Sequence, residues 1–168
     1  IVDRMHVQFA ILGSGDERVE NLFRAAAAAR PGRVGAHIGF DGKLSRLIQA
    51  GSDAFIMPSR AEPCGLTQMY AMRYGTPPIV RATGGLVDTV TNYVEGTDTG
   101  TGFVFREANS AALYQAIGRA CATYYDRPEE YLALRRRGMA LDFSWQGSAH
   151  RYVETYRWAV ESRTGVAL

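Results

Sequence analysis

Within one short stretch the chain changes period twice, and this constrains its fold more than any other feature. Ala54 to Met57 is an apolar run that suits a buried strand, and Pro58, Ser59 and Arg60 end it in a loop. Leu66, Thr67, Gln68, Met69, Tyr70, Ala71 and Met72 then form a good helix-forming run, which Gly75 terminates before Pro77 and Pro78 forbid its continuation. The expected helix runs from about Leu66 to Tyr74, and Pro78 to Arg81 supplies the next strand. Glu62 therefore falls in the loop at the carboxyl edge of a strand, with Cys64 and Gly65 leading into the helix. At a helix start several backbone N–H groups lack intrahelical partners and the dipole is positive, so an anion is accommodated there without a cationic side chain. Gly65 is expected to let such an anion approach the backbone closely. The same glycine at a strand-to-helix junction is also ordinary packing in α/β proteins.

The alternation continues on both sides. Val7 to Leu12 reads as a buried strand closed by Gly13, Glu17 to Arg30 as an Ala-rich helix closed by Pro31-Gly32, and Val34 to Ile38 as a second strand. Lys43 to Ala50 is a short helix with Leu44, Leu47 and Ile48 on one face. After Arg81 come a helical piece near Leu86 to Tyr93, a surface loop at Gly96 to Gly102 and a last strand at Gly102 to Phe105. Short connections between alternating strands and helices imply an α/β fold with a parallel, Rossmann-like sheet covered on both faces, ligands binding at the carboxyl ends of its strands. From Asn109 onward the chain is all-helical, in segments Ala111 to Tyr125, Glu129 to Met139 and one over 144–162 that Ser144 caps. Trp145, Tyr152, Tyr156 and Trp158 are too many aromatic rings for an exposed tail, so this last helix is expected to pack on the sheet domain or on something outside the chain.

Composition narrows the function classes. The 168 residues, 46% hydrophobic and 21% charged, suffice for one substantial core. The net charge of +2 comes from 19 basic and 17 acidic residues dispersed along the chain, with no basic stripe interleaved with stacking aromatics, so nucleic acid is not an expected partner. Arg135-Arg136-Arg137 is the only basic run and reads as a solvated helix face. Cys64 and Cys121 stand far apart, giving neither a disulfide framework nor metal-ligand spacing. No apolar run approaches the roughly 18 residues a membrane span needs, and no signal-peptide pattern opens the chain. There is no internal repeat and no low-complexity linker.

Gly13-Ser14-Gly15-Asp16 follows a strand and precedes a helix, but Val19 and Glu20 stand where a dinucleotide fingerprint would place its third glycine. Phe40 at the end of a strand is either core or a ring for stacking. Thr83-Gly84-Gly85 opens a second helix and is either a structural turn or part of the same cleft. Asp88 supports the start of that helix. Glu62 is the principal candidate: a carboxylate beside an anion site is costly unless neutral donors such as sugar hydroxyls bond to it. Cys64 has no sequence-near histidine to activate it, so it does not read as a nucleophile.

Taken together, the string Glu62-Pro63-Cys64-Gly65-Leu66-Thr67-Gln68, the turn Tyr74 to Pro77 and the turn Thr83 to Leu86 closely resemble the donor-sugar loop of bacterial glycogen synthases and plant starch synthases. Leu12 to Asp16, Ile38-Gly39-Phe40, Gly102 to Phe105 and Asp142-Phe143-Ser144-Trp145 follow in that family's order, so the likeness covers essentially the whole chain. It implies the C-terminal half of a GT-B glycosyltransferase that transfers glucose from ADP-glucose, with retention, to the nonreducing end of an α-1,4-glucan. In that family no metal or other cofactor is required. The resemblance places the transferred glucose on Glu62 as the catalytic residue and the nucleotide near Gly13, Gly15 and Phe40; beside these, the hydroxyl and N–H of Thr67 are expected to meet the terminal phosphate, and Cys64, Gly65, Leu66, Gln68, Thr83, Gly84 and Gly85 are candidate substrate-binding residues of the same cleft. Many related enzymes carry a second glutamate eight residues after the first, where this sequence has Tyr70, as glycogen and starch synthases also do. The family's Ser-Arg-Leu-x-x-Gln-Lys-Gly segment and its N-terminal domain with the acceptor groove are not in the sequence. Residues 1–168 are therefore expected to be one partial domain, inactive alone, from a bacterial cytoplasmic or plant plastid enzyme. A GT-B enzyme with another donor or acceptor, and a non-catalytic nucleotide-sugar module, remain the alternatives.

Overall fold

A computed structural model describes residues 1–165. In chain order its elements are β1 (Phe9–Gly13), α1 (Glu17–Ala29), β2 (Val34–Ile38), α2 (Gly42–Gly51), β3 (Phe55–Met57), α3 (Thr67–Arg73), β4 (Pro78–Arg81), α4 (Gly85–Thr89), β5 (Phe103–Phe105), α5 (Ser110–Asp126), α6 (Pro128–Ala140) and α7 (Trp145–Thr164). Short polar side chains set the starts of three helices. The carboxylate of Asp16 accepts from the N–H groups of Arg18 and Val19, Asp41 from Lys43 and Leu44, and the Asn109 side chain from Ala112. Pro128 opens α6, where a missing N–H costs nothing. No helix among the described residues is long and apolar enough to cross a membrane.

All strand pairs are parallel, as the alternation required. The sheet, however, is split in two: β1 pairs with β2, and β3-β4-β5 form a separate three-stranded sheet. The register places Ile79 opposite both Ile56 and Phe103, and Val80 opposite Met57 and Val104. Period-two alternation then sends the two sets to opposite faces. Ile79, Phe103 and Phe105 pack with Ala116, Ile117 and Ala120 of α5 and with Tyr131 and Leu134 of α6. Val80, with Met57 and Val104, packs with Met72 of α3 and with Leu86 and Val90. The three-stranded sheet is thus covered on both faces, and its strands end on one edge where the loops gather. Phe9 of β1 and Ala54 and Ile56 at β3 pack on the first of these clusters, so the two sheets share one core.

Several expectations need correction. β1 starts at Phe9: residues 2–6 fold into a turn and a bend, and the carbonyls of Val2, Met5 and Val7 accept hydrogen bonds from the Arg33 guanidinium. In α2 the inward face carries Gln49, buried, while Leu47 is 59% exposed. Thr76 explains the exchange: its hydroxyl donates to the Gln49 and Ser52 carbonyls and pulls that turn inward. α4 stops at Thr89, where Val90 turns extended and the chain runs on to a parallel bridge between Asn92 and Gly102. Arg135 and Arg137 are not a solvated pair; they donate to the carbonyls of Gly75, and of Gly100 and Thr99. Ser144 occupies the cap position of α7 without a side-chain cap bond, and its N–H donates instead to Asp142. Finally, α7 does not pack on the sheet domain: Trp145, Tyr152, Tyr156 and Trp158 are all exposed.

Candidate functional site

The acidic loop leaves β3 at Met57 and returns to the body at α3. Three anchors hold it. On the upstream side the Arg81 guanidinium, at the end of β4, donates through Nε to the Ser59 carbonyl (2.8 Å), through Nη2 to the Arg60 carbonyl, and through Nη1 to the Arg106 carbonyl (3.5 Å). On the downstream side the Gly85 N–H donates to the Glu62 carbonyl (3.0 Å). From beneath, the Gln68 amide donates to the Gly65 carbonyl (2.8 Å) and to the Thr89 hydroxyl (3.0 Å), tying α3 and the loop to α4. Between these anchors sits Glu62, half-buried, with the Ser59 hydroxyl donating to its Oε2 at 3.4 Å. A carboxylate has about four acceptor positions, so most of this one is free to receive further donors.

Gly84 and Gly85 are packing requirements. A Cβ on Gly84 would lie 1.8 Å from the Glu62 carbonyl oxygen, and one on Gly85 2.3 Å from that of Cys64. Gly84 also has φ +48°, a backbone region L side chains rarely adopt. The turn Thr83 to Gly85 therefore lies directly against the loop that carries Glu62, as a structural turn.

Two assignments change. Gln68 is fully buried and its amide is spent on the loop and on Thr89, so its side chain serves as a support. Gly65 is buried too, with φ +75° and the Gln68 amide 2.5 Å from where its Cβ would be. Its backbone conformation and Gln68 demand glycine there, not the approach of an anion. The Thr67 hydroxyl points back to Met57 Sδ at 3.3 Å, which leaves its N–H, and not its side chain, at the helix start. Leu66, Cys64 and Tyr70 are exposed at the mouth. The sequence reading missed Arg81, Ser59 and Thr89 as supports. An arginine closing a buried strand beside a loop was the one signal available for the first.

Gly13, Gly15 and Phe40 form a separate group at the carboxyl ends of β1 and β2. The Gly39 N–H donates to the Gly13 carbonyl (2.9 Å), and the Gly15 N–H to Glu20 (2.9 Å). Phe40 is 94% exposed, so it is not core and its ring face is available. Asp41 beside it caps α2, and the N–H groups of Leu44 and Lys43 hold its carboxyl below the usual carboxylate range.

A parallel α/β sheet whose carboxyl edge carries an anchored loop with one half-buried carboxylate, and a helix start behind it, has the layout of a ligand-binding α/β domain. The chain belongs to the family of group 1 glycosyl transferases, which it matches over residues 3–135. It is 57% identical over 153 residues to a glycogen synthase of Aromatoleum aromaticum, covering 89% of this chain and 31% of that protein. With a glycogen synthase of Desulforudis audaxviator the figures are 51% over 158 residues, 94% and 32%. Among solved structures, the catalytic domain of starch synthase IV from Arabidopsis thaliana, bound to ADP and acarbose, superimposes with a TM-score of 0.80 at 38% identity, over 92% of this chain and 32% of that one. A sucrose-phosphate synthase from Thermosynechococcus elongatus (TM-score 0.55, 24% identity, 90% and 46%) shares the fold. The fold is that of a GT-B C-terminal domain, and the chain spans about a third of the length of the glycogen synthases it matches.

Proposed function

We propose that this chain is the donor-binding domain of a glycogen or starch synthase and that the full-length protein transfers glucose, with retention, from ADP-glucose to the nonreducing end of an α-1,4-glucan. The supporting observation is the 57% identity to a glycogen synthase over 153 residues, nine-tenths of the chain. Residues 1–168 form one partial domain, and its partners are the nucleotide sugar and, through the N-terminal half of the full-length protein, the glucan. On this reading no metal or other cofactor takes part, and the setting is the bacterial cytoplasm, or the plastid for a plant enzyme.

Glu62 holds the transferred glucose through its hydroxyls, which donate to the free positions of the carboxylate; hydrogen bonds to a charged acceptor contribute about 1.5 to 3 kcal/mol each. The exposed Phe40 ring stacks on the adenine, and Gly13 and Gly15 line the same end of the pocket. The diphosphate lies against the start of α3, where the N–H groups of the first turn have no intrahelical acceptor. Cations supplied by the full-length protein offset the rest of its charge.

Donor profiling of the full-length protein tests the reading. Glucose incorporation into a maltooligosaccharide is expected from ADP-glucose above UDP-glucose, and Glu62→Ala should lower kcat by orders of magnitude while ADP affinity stays nearly intact. Sucrose or trehalose formation in place of glucan extension would establish another acceptor class, and an unchanged rate in Glu62→Ala would remove Glu62 from the site.

A further inference from the structure

We propose that Arg81 is the positioning residue for the Glu62 carboxylate, acting through the loop backbone without touching substrate; this rests on the reading of Glu62 as the sugar-holding group. Arg81 ends β4, paired opposite Phe105, and its guanidinium reaches across the sheet edge to three carbonyls, those of Ser59, Arg60 and Arg106. It takes part in none of the ion pairs among the described residues. Its donors go to backbone alone.

The planar fork of a guanidinium fixes the directions of its N–H groups, so capture of two successive carbonyls sets the backbone at residues 59 and 60 as one ammonium cannot. The consequence for Glu62 is direct. Ser59, whose carbonyl Arg81 Nε holds at 2.8 Å, is the residue whose hydroxyl donates to Glu62 Oε2. Two residues beyond Arg60, the Glu62 carbonyl is held by the Gly85 N–H. The carboxylate therefore stands between two backbone anchors, and both come from β4 or the turn that follows it. Loss of the upstream anchor frees the loop on one side only, which shifts the carboxylate without dismantling the core under it. A displacement of about 1 Å at a reacting group costs on the order of a hundredfold in rate.

Two measurements decide the proposal. In the 168-residue chain, NMR order parameters of residues 59–62 should fall from the rigid range, about 0.85, toward 0.6 or below in Arg81→Gln, with the strands β3 to β5 unchanged. Arg81→Lys keeps the charge and stem, so it stays folded if Arg81→Gln does not, and the same loss of order is expected there. Unchanged order in Arg81→Lys overturns the clamp. In the full-length protein, Arg81→Lys and Arg81→Gln should lower kcat by roughly 10- to 100-fold with KM for the nucleotide sugar and Kd for ADP within about 2-fold of wild type. Guanidinium ion at concentrations well below denaturing should restore part of the kcat of Arg81→Gln and none of that of Glu62→Ala. A raised KM at unchanged kcat, or equal loss of kcat and ADP affinity, overturns the positioning role. A wild-type protein that transfers glucose from no nucleotide sugar removes the proposed function, and the order parameters still decide the clamp.

Discussion

At Gly85 there is space for a hydrogen atom and nothing larger. A methyl group would meet Cys64 at its carbonyl oxygen (2.3 Å) and its Cα (2.7 Å), both backbone, so the acidic loop and the turn after β4 must separate to admit it. Gly85→Ala is expected to lower the melting temperature by several degrees and to abolish most transfer activity through the displaced Glu62. Around Gly13 and Gly15, by contrast, no atom lies within 4 Å of the Cβ position. Gly15→Ala should therefore melt with wild type, and any change it makes in ADP affinity, read by calorimetry, reports contact with the nucleotide. Sequence spacing singled out both glycine pairs alike; only packing separates a glycine that two backbones press upon from one in open space. Gln68 shows the same limit. Its place in a recognisable string pointed to ligand contact, but an unbroken helical run does not reveal which of its side chains faces the core. Cys64 is exposed and donates only a weak, long bond to the Gly65 carbonyl (3.8 Å). Cys64→Ser should leave ADP binding unchanged, and a trapped sugar adduct on the wild-type sulfur would reverse that assignment.

Among elements, the strands Val34–Ile38 and Pro78–Arg81 were legible to the residue, because Pro, Gly and β-branched residues bound them sharply. Helix ends came within a residue or two where Asp or Asn caps mark them. What stayed hidden were long-range choices: the split between β1 and β3, the inward turn of Gln49, and the arginines of α6 that reach carbonyls far away in sequence. Tyr93 and Tyr131, on the bridge strand and on α6, are a further case. Both are buried at their rings; the Tyr93 hydroxyl donates to Glu130 and that of Tyr131 to the Asp53 carbonyl. Burial first, and then the Glu130 carboxylate, push the Tyr93 phenol up to about 12. Burial raises that of Tyr131 as well. A phenol whose folded value lies above its unfolded value, near 10, stabilises the fold fully below that pH and ceases to as pH rises toward the folded value. The urea midpoint should therefore fall between pH 10 and 12, and Tyr93→Phe should flatten that fall. At the acid end the Tyr93 hydroxyl, and then the Gly96 N–H, hold the Glu130 carboxyl below its usual range. Its contribution is present above the usual carboxylate range and is lost as pH drops through the lowered value. Helix α7 has no buried residue: limited proteolysis is expected to remove it near residues 141–145 and leave residues 1–140 with an unchanged melting temperature.

For the molecule as a whole, the class of fold and the family were readable because both rest on local signals, period and motif. The supports of the acidic loop were not, because they arrive from β4, α4 and the turn at Thr83 by tertiary contact. The 168-residue chain is expected to bind ADP weakly and to extend no primer. The resemblance implies that the arginine and the lysine of the Ser-Arg-Leu-x-x-Gln-Lys-Gly segment, which the sequence lacks, offset the diphosphate charge; at about 1.5 to 3 kcal/mol each, their loss would lower affinity by roughly two to four powers of ten. Incubation with ADP-glucose and a maltooligosaccharide checks this, and extension at an enzymatic rate would show these residues to be a complete catalyst. The tie between the acidic loop and the Gly84-Gly85 turn bears on the thermodynamics of that encounter. On the proposed reading, a loop fastened at both shoulders before the donor sugar arrives would have little freedom left to lose, so its ordering would add little entropic cost to binding. Selectivity at this edge would then resemble that of a mould, already set in shape.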